Sequence, residues 1–393
     1  MSHGPTSVEG RIEEPMDFRS LLMVAGEASG DMHAARLASE MRRLRPDLRV
    51  FGMGGAELRA AGMEVLADSA DISVVGISEA IKVLPRAREI FQHLVTEVEG
   101  RDSGAAVLVD SPDFNLRLAK ALKQSGRRVI YYISPQVWAW RKGRVRLISK
   151  VVDKMIVVLP FEVDFYRRYG IEATYVGHPL VDEVPRLDHV WDTEQAASGP
   201  FTISLLPGSR QSEVDSILPT LLQATRELGR HLEIRLQLIQ ASSLERSYLQ
   251  PFVEASGLEV EFVDEDRFEA LAASHLALCA SGTATLEVGL IGTPMIVVYR
   301  VRPWTYLLGR FLVRLPNVSL VNLVLEDRVV QELIQGQARP AAISEEAVRL
   351  LTNQGRIRRM RSSLRELWVR LGESGASRRA AEEVVEYLDE IAR

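Results

Sequence analysis

One pattern recurs along this sequence: a short apolar segment ends in a turn of small residues, which leads into an amphipathic helix. Leu21–Ala25, Ala105–Val109 and Val129–Ile133 are three such segments in the first half. Strands that alternate with helices form parallel sheets, so this alternation predicts a parallel sheet wrapped by helices. A second series of the same kind begins at Phe201. The pattern therefore predicts an α/β protein with two parallel-sheet units, one in each half of the chain.

The length of the chain, 393 residues, favours two domains over one. We expect a disordered leader at 1–19, an N-terminal domain at 20–184 and a second domain at 200–340. A stretch containing Pro, Asp, Ser and Gly separates the two domains and is predicted to be a linker. The remaining residues, 341–393, are predicted to be helical.

Composition excludes several classes of protein. A hydrophobic content of 46% is sufficient for two cores, and a net charge of −5 does not favour non-specific nucleic-acid binding. Cys279 is the single cysteine and lies in an apolar strand, so we expect it in the core and expect no internal disulfide. The sequence has no apolar run of the roughly 18 residues that a membrane span needs. Its acidic start is not a secretory signal.

Two strand-to-helix turns in the second half have the residues of a phosphate site. The first contains Gly208–Arg210, and the second contains Ser281–Thr283. Backbone N–H groups at a helix N-terminus and a guanidinium fork both favour phosphate. An ordinary turn with a surface arginine is the alternative for the first turn taken alone. Two such turns together predict one ligand held between two helix ends, and Glu287 follows within reach of a ribose.

Acidic residues follow two strands of the first half. Glu27 comes after the first strand, and Asp110 and Asp113 come after a later one. In open α/β sheets the ligand crevice lies at the carboxyl ends of the strands, where a carboxylate can act as a general base. The alternatives are a solvated loop acid for Glu27, a turn-orienting role for Asp110 and a helix cap for Asp113.

Three stretches combine apolar or aromatic residues with basic ones. They are 74–88, 134–146, which includes Trp138 and Trp140, and 302–314. Such a mixture suits a membrane interface or a subunit contact. A core helix is the alternative for the first stretch, and a buried tryptophan pair is the alternative for the second.

The motifs taken together resemble one family, the lipid A disaccharide synthases, which are glycosyltransferases of the GT-B architecture. The match covers roughly residues 20–390, and the combination is specific although each piece alone is not. The motifs that carry the resemblance are GEASGD (26–31), VDSPDFN (109–115), SPQVWAWR (134–141), LPFE (159–162), VGHP (176–179), LLPGSR with Glu213, ASGTATLE (280–287) and VSLVNL (318–323).

The resemblance implies two Rossmann-like parallel-sheet domains facing a cleft, with C-terminal helices that return to the N-terminal domain or cross a dimer. It implies an inverting transfer from UDP-2,3-diacylglucosamine to 2,3-diacylglucosamine 1-phosphate, which gives lipid A disaccharide 1-phosphate and UDP. It also implies no metal and no cofactor. The family's setting implies a peripheral protein on the cytoplasmic face of the inner membrane and allows a homodimer.

Site roles follow as hypotheses from this resemblance and from the chemistry of inversion. Asp110 is the preferred base with Glu27 as its competitor, and Arg210 would hold the diphosphate. The predicted substrate-binding residues are Ser29, Gly30, Asp31, Glu79, Asn115, Trp138, Gly208, Ser209, Glu213, Ser281, Gly282, Thr283, Glu287 and Asn322.

Two other classes of protein compete with this interpretation. Another GT-B UDP-sugar enzyme, such as a UDP-N-acetylglucosamine transferase or an epimerase, would share the nucleotide turns but should lack the apolar basic stretches. A non-catalytic binder on a membrane surface would not need acids at both sheet edges.

Overall fold

The computed structural model describes residues 17–72, 77–138, 142–187, 199–300 and 317–393. Most of the predicted leader, Trp140 and the whole aromatic and basic stretch 302–314 lie outside these described residues. The side chain of Glu79 also lies outside them, although its backbone belongs to a described helix.

The first half contains a seven-stranded sheet in which every strand pair is parallel. Its strands are β1 (Asp17–Ala25), β2 (Arg49–Gly54), β3 (Glu64–Asp68), β4 (Ser103–Val109), β5 (Arg128–Tyr132), β6 (Lys154–Val157) and β7 (Ala173–Tyr175). The strand order is β3-β2-β1-β4-β5-β6-β7. The chain thus runs outward in both directions from the pair β1 and β4, which is where α/β sheets open a ligand crevice.

Helices connect these strands. They are α1 (Ala28–Leu44), α2 (Ala56–Ala60), α3 (Ile77–Gly100), α4 (Pro112–Gln124), α5 (Val145–Val151), α6 (Pro160–Arg167) and α7 (Leu180–Glu183). Strand β4 is buried along its whole length, since helices cover both of its faces. This burial explains why its sequence is continuously apolar or small and does not alternate.

The second half repeats the design with a six-stranded parallel sheet. Its strands are β8 (Phe201–Leu206), β9 (Ile234–Ile239), β10 (Val260–Val263), β11 (Leu276–Ala280), β12 (Met295–Tyr299) and β13 (Gln331–Ile334). The order β10-β9-β8-β11-β12-β13 places the reversal point between β8 and β11. Both predicted phosphate turns follow these two strands, so they lie side by side. Cys279 is fully buried in β11, which confirms it as a core residue.

The helices of the second half begin at the first of these turns. They are α8 (Gln211–Leu228), α9 (Arg246–Ser256), α10 (Arg267–Ala272), α11 (Ala284–Ile291), α12 (Leu320–Leu325), α13 (Pro340–Leu351), α14 (Gln354–Arg365), α15 (Leu367–Arg370) and α16 (Ala376–Ile391). Within the residues just described, no helix is both long enough and apolar enough to cross a bilayer.

The C-terminal helices divide between the two halves. Helix α13 packs on α8, and α14 and α15 pack on α11, whereas the final helix α16 packs on α1 of the first half. Asp182 fixes the start of α16, because its carboxylate accepts the N–H groups of Gly375 at 2.6 Å and Ala376 at 3.2 Å. The predicted return of the C-terminus is therefore made by α16. The domain boundaries at 184, 200 and 340 remain predictions.

Candidate active site

One ion pair joins the two halves across the crevice. Glu27 lies between β1 and α1, directly before the helix, and Arg210 precedes α8 in the turn after β8. Arg210 Nη2 donates to Glu27 Oε2 at 2.7 Å. Because each residue lies at the carboxyl edge of its own sheet, the contact shows that these two edges face each other.

Asp110 lies beside this pair in a constrained turn. Its φ is 47° and that of Ser111 is 43°, a left-handed conformation that costs roughly 1–2 kcal/mol per residue outside glycine. Asn115 Nδ2 holds the turn by donating to the carbonyl oxygens of Val109 at 3.0 Å and Asp110 at 2.8 Å. The Tyr131 hydroxyl also donates to the Asp110 carbonyl. Asn115 is fully buried, so it braces the backbone that presents Asp110.

Electrostatics distinguish Asp110 from an ordinary aspartate. The pKa of Asp110 is raised to about 6, mainly by burial and then by the negative charge of Glu27, while the Ser111 N–H and Arg210 oppose the shift. At neutral pH the carboxylate is still ionised, and its raised pKa makes it a stronger proton acceptor than a solvated aspartate. The charges of Glu27 and Arg210 both act on Asp110, so the three predicted catalytic residues share one locality.

The turn after β8 is closed by an acid of its own helix. Gly208 has φ 115°, and a Cβ at this position would meet Glu213 Oε2 at 2.4 Å. Glu213 Oε2 accepts the N–H groups of Ser209 at 3.0 Å and Arg210 at 3.4 Å. The backbone donors that the sequence predicts for phosphate are therefore occupied by a side-chain carboxylate, which the helix N-terminus favours for the same electrostatic reason.

The turn after β11 is open by contrast. A Cβ added at Gly282 would have no atom within 4 Å, and Thr283 is exposed. The Ser281 hydroxyl donates to the Val318 carbonyl at 3.3 Å. This turn therefore leaves space around Gly282, as a ligand held between two helix ends would require.

Glu287 faces the junction of the two halves. Arg267 Nη2 lies 3.5 Å from Glu287 Oε2, and the glutamate side chain is 17% exposed. Burial raises the pKa of Glu287, Arg267 lowers it, and Glu183 of the first half raises it. Glu183 in turn pairs with Arg36 at 2.5 Å. The sequence analysis missed Arg267, whose only signal is its place directly after the acidic run 264–266.

Three predicted substrate-binding residues have structural contacts instead. Asp31 is buried, and its carboxylate accepts N–H groups of Gly55 at 2.6 Å and Glu57 at 3.0 Å, which caps α2. Asn322 is buried and exchanges two hydrogen bonds with the backbone of Val330 at 2.9 and 3.0 Å. These polar groups are saturated by the protein, so we do not carry Asp31 and Asn322 into the proposed site.

Trp138 is the third of these residues, and its position corrects the prediction that it stacks on a ligand. Its side chain is buried, and Nε1 donates to Glu162 Oε1 at 3.0 Å. Ser134 Oγ donates to the same oxygen at 2.6 Å, and Leu159 N–H donates to Glu162 Oε2 at 3.1 Å. Glu162 therefore ties the loop after β5 to the start of α6, which joins two of the family motifs.

The two remaining predicted residues lie in the first turn of α1 and differ in exposure. Ser29 is exposed, whereas Gly30 is buried. A Cβ at Gly30 would lie 3.8 Å from Ala25 Cβ and 3.9 Å from the Val109 carbonyl, an ordinary packing distance. Ser29 thus remains available to a ligand, and Gly30 lies against the two central strands.

Comparison with known proteins decides the family. The sequence pattern of the lipid-A-disaccharide synthetase family (LpxB) matches residues 21–387. The chain belongs to this family. Lipid-A-disaccharide synthase of Myxococcus xanthus (strain DK1622) is 45% identical over 374 residues, which cover 94% of this chain and 97% of that protein. The synthase of Anaeromyxobacter dehalogenans (strain 2CP-1 / ATCC BAA-258) is 44% identical over 371 residues, covering 93% and 96%. The chain is accordingly a glycosyltransferase enzyme of lipid A biosynthesis.

Solved structures confirm the fold class of this lipid-A-disaccharide synthase family member. MnaA of S. aureus, solved with UDP, superposes with a TM-score of 0.65 at 12% identity and covers 95% of this chain and 98% of its own. MurG of Acinetobacter baumannii superposes with a TM-score of 0.59 at 15% identity, with 93% and 99% covered. At such identities the likeness shows the GT-B fold alone, and it agrees with the two parallel sheets.

Proposed function

We propose that this synthase transfers 2,3-diacylglucosamine from its UDP-linked form to the hydroxyl of 2,3-diacylglucosamine 1-phosphate, with inversion and with UDP as the leaving group. A single displacement needs a base near the acceptor hydroxyl and positive groups at the departing diphosphate. In the proposed site these groups come from opposite halves of the chain, so closing the crevice would bring them to the same glycosidic carbon.

Asp110 is the proposed base. It is half-buried, held rigidly by the braced turn, and has its pKa raised to about 6. Glu27 is less suited to the role, because its side chain is 43% exposed to solvent and lies outside the braced turn that holds Asp110. The structure thus supports the original preference between the two acids.

Arg210 is the proposed diphosphate ligand, with the open turn at Ser281–Thr283 as a second contact. Glu287 is the proposed ribose ligand, because it is anchored by Arg267 at 3.5 Å and faces the junction of the halves. A guanidinium and backbone donors would stabilise the leaving group without a divalent ion.

The observation that carries this proposal is the Arg210–Glu27 contact at 2.7 Å. It joins the phosphate turn of one sheet to the acidic edge of the other. The charges of both residues shift the pKa of Asp110. A donor sugar on Arg210 would therefore face a base.

Membrane association and self-association belong to the same proposal. In α3, Leu84 is 56% exposed, and Arg88, one helical turn further along, is exposed as well. An exposed apolar residue with basic neighbours suits an anionic lipid surface, which is where acylated substrates reside. We propose peripheral binding at the cytoplasmic face of the inner membrane and leave a homodimer as an expectation of the resemblance.

The test is UDP release with acylated and with unacylated sugars, on the full chain and on Arg210→Ala. We expect turnover with the diacylated pair alone, and loss of UDP affinity in Arg210→Ala. Arg167→Ala is a matched control, because Arg167 is a surface arginine that pairs with Asp164 at 2.6 Å. Equal turnover with unacylated N-acetylglucosamine substrates would favour the alternative GT-B enzyme.

A further inference from the structure

The guanidinium of Arg210 is already occupied by carboxylates in the free protein. Nη2 donates to Glu27 Oε2 at 2.7 Å, and Nη1 lies 3.9 Å from Glu213 Oε1. A bidentate grip on phosphate uses two guanidinium nitrogens at once. The edge formed by the two terminal nitrogens therefore cannot take a phosphate while Glu27 holds it.

We propose that Glu27 is an internal competitor for Arg210, so that the donor's diphosphate must displace Glu27 and the released Glu27 then strengthens Asp110 as a base. This inference rests on the proposed function, since it assumes that Arg210 binds the diphosphate. It assigns Glu27 a role different from both a base and a substrate ligand, namely a positioning residue that couples donor binding to base strength.

The coupling follows from the charges around Asp110. Among the described residues, the charged groups that act on it are Glu27, which follows β1, and Arg210 from the second half; the Ser111 N–H and Tyr131 also interact with it. In the free protein Arg210 partly cancels the charge of Glu27. When the diphosphate takes Arg210, Glu27 keeps its charge without a cation, and a second carboxylate nearby raises proton affinity.

The solvent exposure of Glu27 and Arg210 determines how strongly their ion pair can weaken the binding of UDP. The side chains of Arg210 and Glu27 are 61% and 43% exposed. Ion pairs this open to water change an equilibrium constant by only a few-fold. We therefore expect Glu27→Gln to bind UDP about threefold more tightly than the wild type, whereas removing an ordinary ligand contact would weaken binding.

The experiment is a double-mutant cycle with UDP, measured by calorimetry on the full chain. The proteins are wild type, Glu27→Gln, Arg210→Ala and the double variant. Asp113→Asn is the matched control, because it removes one negative charge from the same sheet edge, where Asp113 pairs with Arg144. We expect Glu27→Gln to tighten binding with Arg210 present, to have no effect without Arg210, and the control to leave affinity unchanged.

The outcomes separate this inference from the proposed function. If wild type does not bind UDP, or Arg210→Ala binds it equally well, the proposed function of Arg210 fails. If both behave as proposed but Glu27→Gln binds UDP equally or more weakly, the competition is disproved. Equal tightening with and without Arg210, or tightening in Asp113→Asn, would mean simple repulsion between acids and phosphate and would also overturn it.

The pH profile tests the second step. In the wild type we expect the acid limb of kcat, which reports the donor complex, at higher pH than that of kcat/KM for the donor. The pH difference between these two acid limbs should be smaller in Glu27→Gln, because the variant lacks the negative charge of Glu27. An unchanged gap would show that Glu27 does not act on Asp110.

Discussion

Replacing Asp110 with asparagine should make the protein less active and more stable at the same time. Asparagine keeps the size of the side chain and, glycine apart, is among the residues that best tolerate the left-handed backbone at φ 47°. It cannot accept the acceptor's proton or carry the charge. The two consequences have separate causes, so they can be measured separately.

The stability gain can be worked out from the pKa of Asp110, which rises from 3.8 to about 6 on folding. A carboxyl whose pKa is raised in the folded state costs stability as it ionises. The cost is absent below pH 4, grows between pH 4 and 6, and is constant above pH 6. At 1.36 kcal/mol per pKa unit, ionisation of Asp110 lowers the stability by at most about 3 kcal/mol. The actual loss is smaller, because water reaches this half-buried group.

The assay compares the thermal midpoints of wild type and Asp110→Asn at pH 4 and pH 7.5, together with UDP release at pH 7.5. We expect nearly equal midpoints at pH 4 and a midpoint about 5 °C higher for the variant at pH 7.5. We expect turnover to fall by at least about 10²-fold. The kcat/KM of the wild type for the donor should decline as the pH falls through about 6, because Asp110 then takes up a proton.

Asp113→Asn is the control, because this acid is 74% exposed and lies only three residues away. It should show neither the pH-dependent gain in stability nor the loss of turnover. A variant at Asp110 that gains the same stability at both pH values, or that keeps normal turnover, would refute the reasoning about burial and about the base.

Two further predictions concern residues that hold the fold together. Asp182→Ala should lower the free energy of unfolding by about 1 kcal/mol, because the N–H groups of Gly375 and Ala376 lose their acceptor. Hydrogen exchange of the α16 amides should be faster in Asp182→Ala than in the control variant Asp164→Ala. Equal exchange rates in the two variants would contradict the cap. Burial raises the pKa of Glu162 to about 7, and its carboxylate accepts from the Trp138 indole, so tryptophan emission should change with a midpoint near pH 7 and Glu162→Gln should abolish the change; a titration that persists in the variant would assign it to another group.

The fold was predictable because its signals are local. Each apolar segment followed by a small-residue turn became a parallel strand, and the placement of Glu27 and Asp110 at one sheet edge followed from the direction of their strands. Parallel strands leave little freedom in this respect, since all their carboxyl ends meet at the same edge.

The partners of polar side chains were not predictable, because they come from distant parts of the chain. Asp31 accepts from Gly55, 24 residues away, and Arg210 pairs with Glu27 across 183 residues. A polar residue beside a turn carries no local signal for the direction in which its side chain points. For this reason the sequence indicated Asp31, Trp138 and Asn322 as ligand contacts, whereas in the structure their polar groups bond to other parts of the protein.

The position of α16 has a consequence for biosynthesis. The first half receives α16 from a segment that follows the second half in the sequence. On a ribosome the surface of α1 that α16 covers therefore stays exposed until α16 has been made, and domains that emerge early otherwise fold first. Among the described residues, the chain returns from the second half to the first between α15, which packs on α11, and α16, which packs on α1.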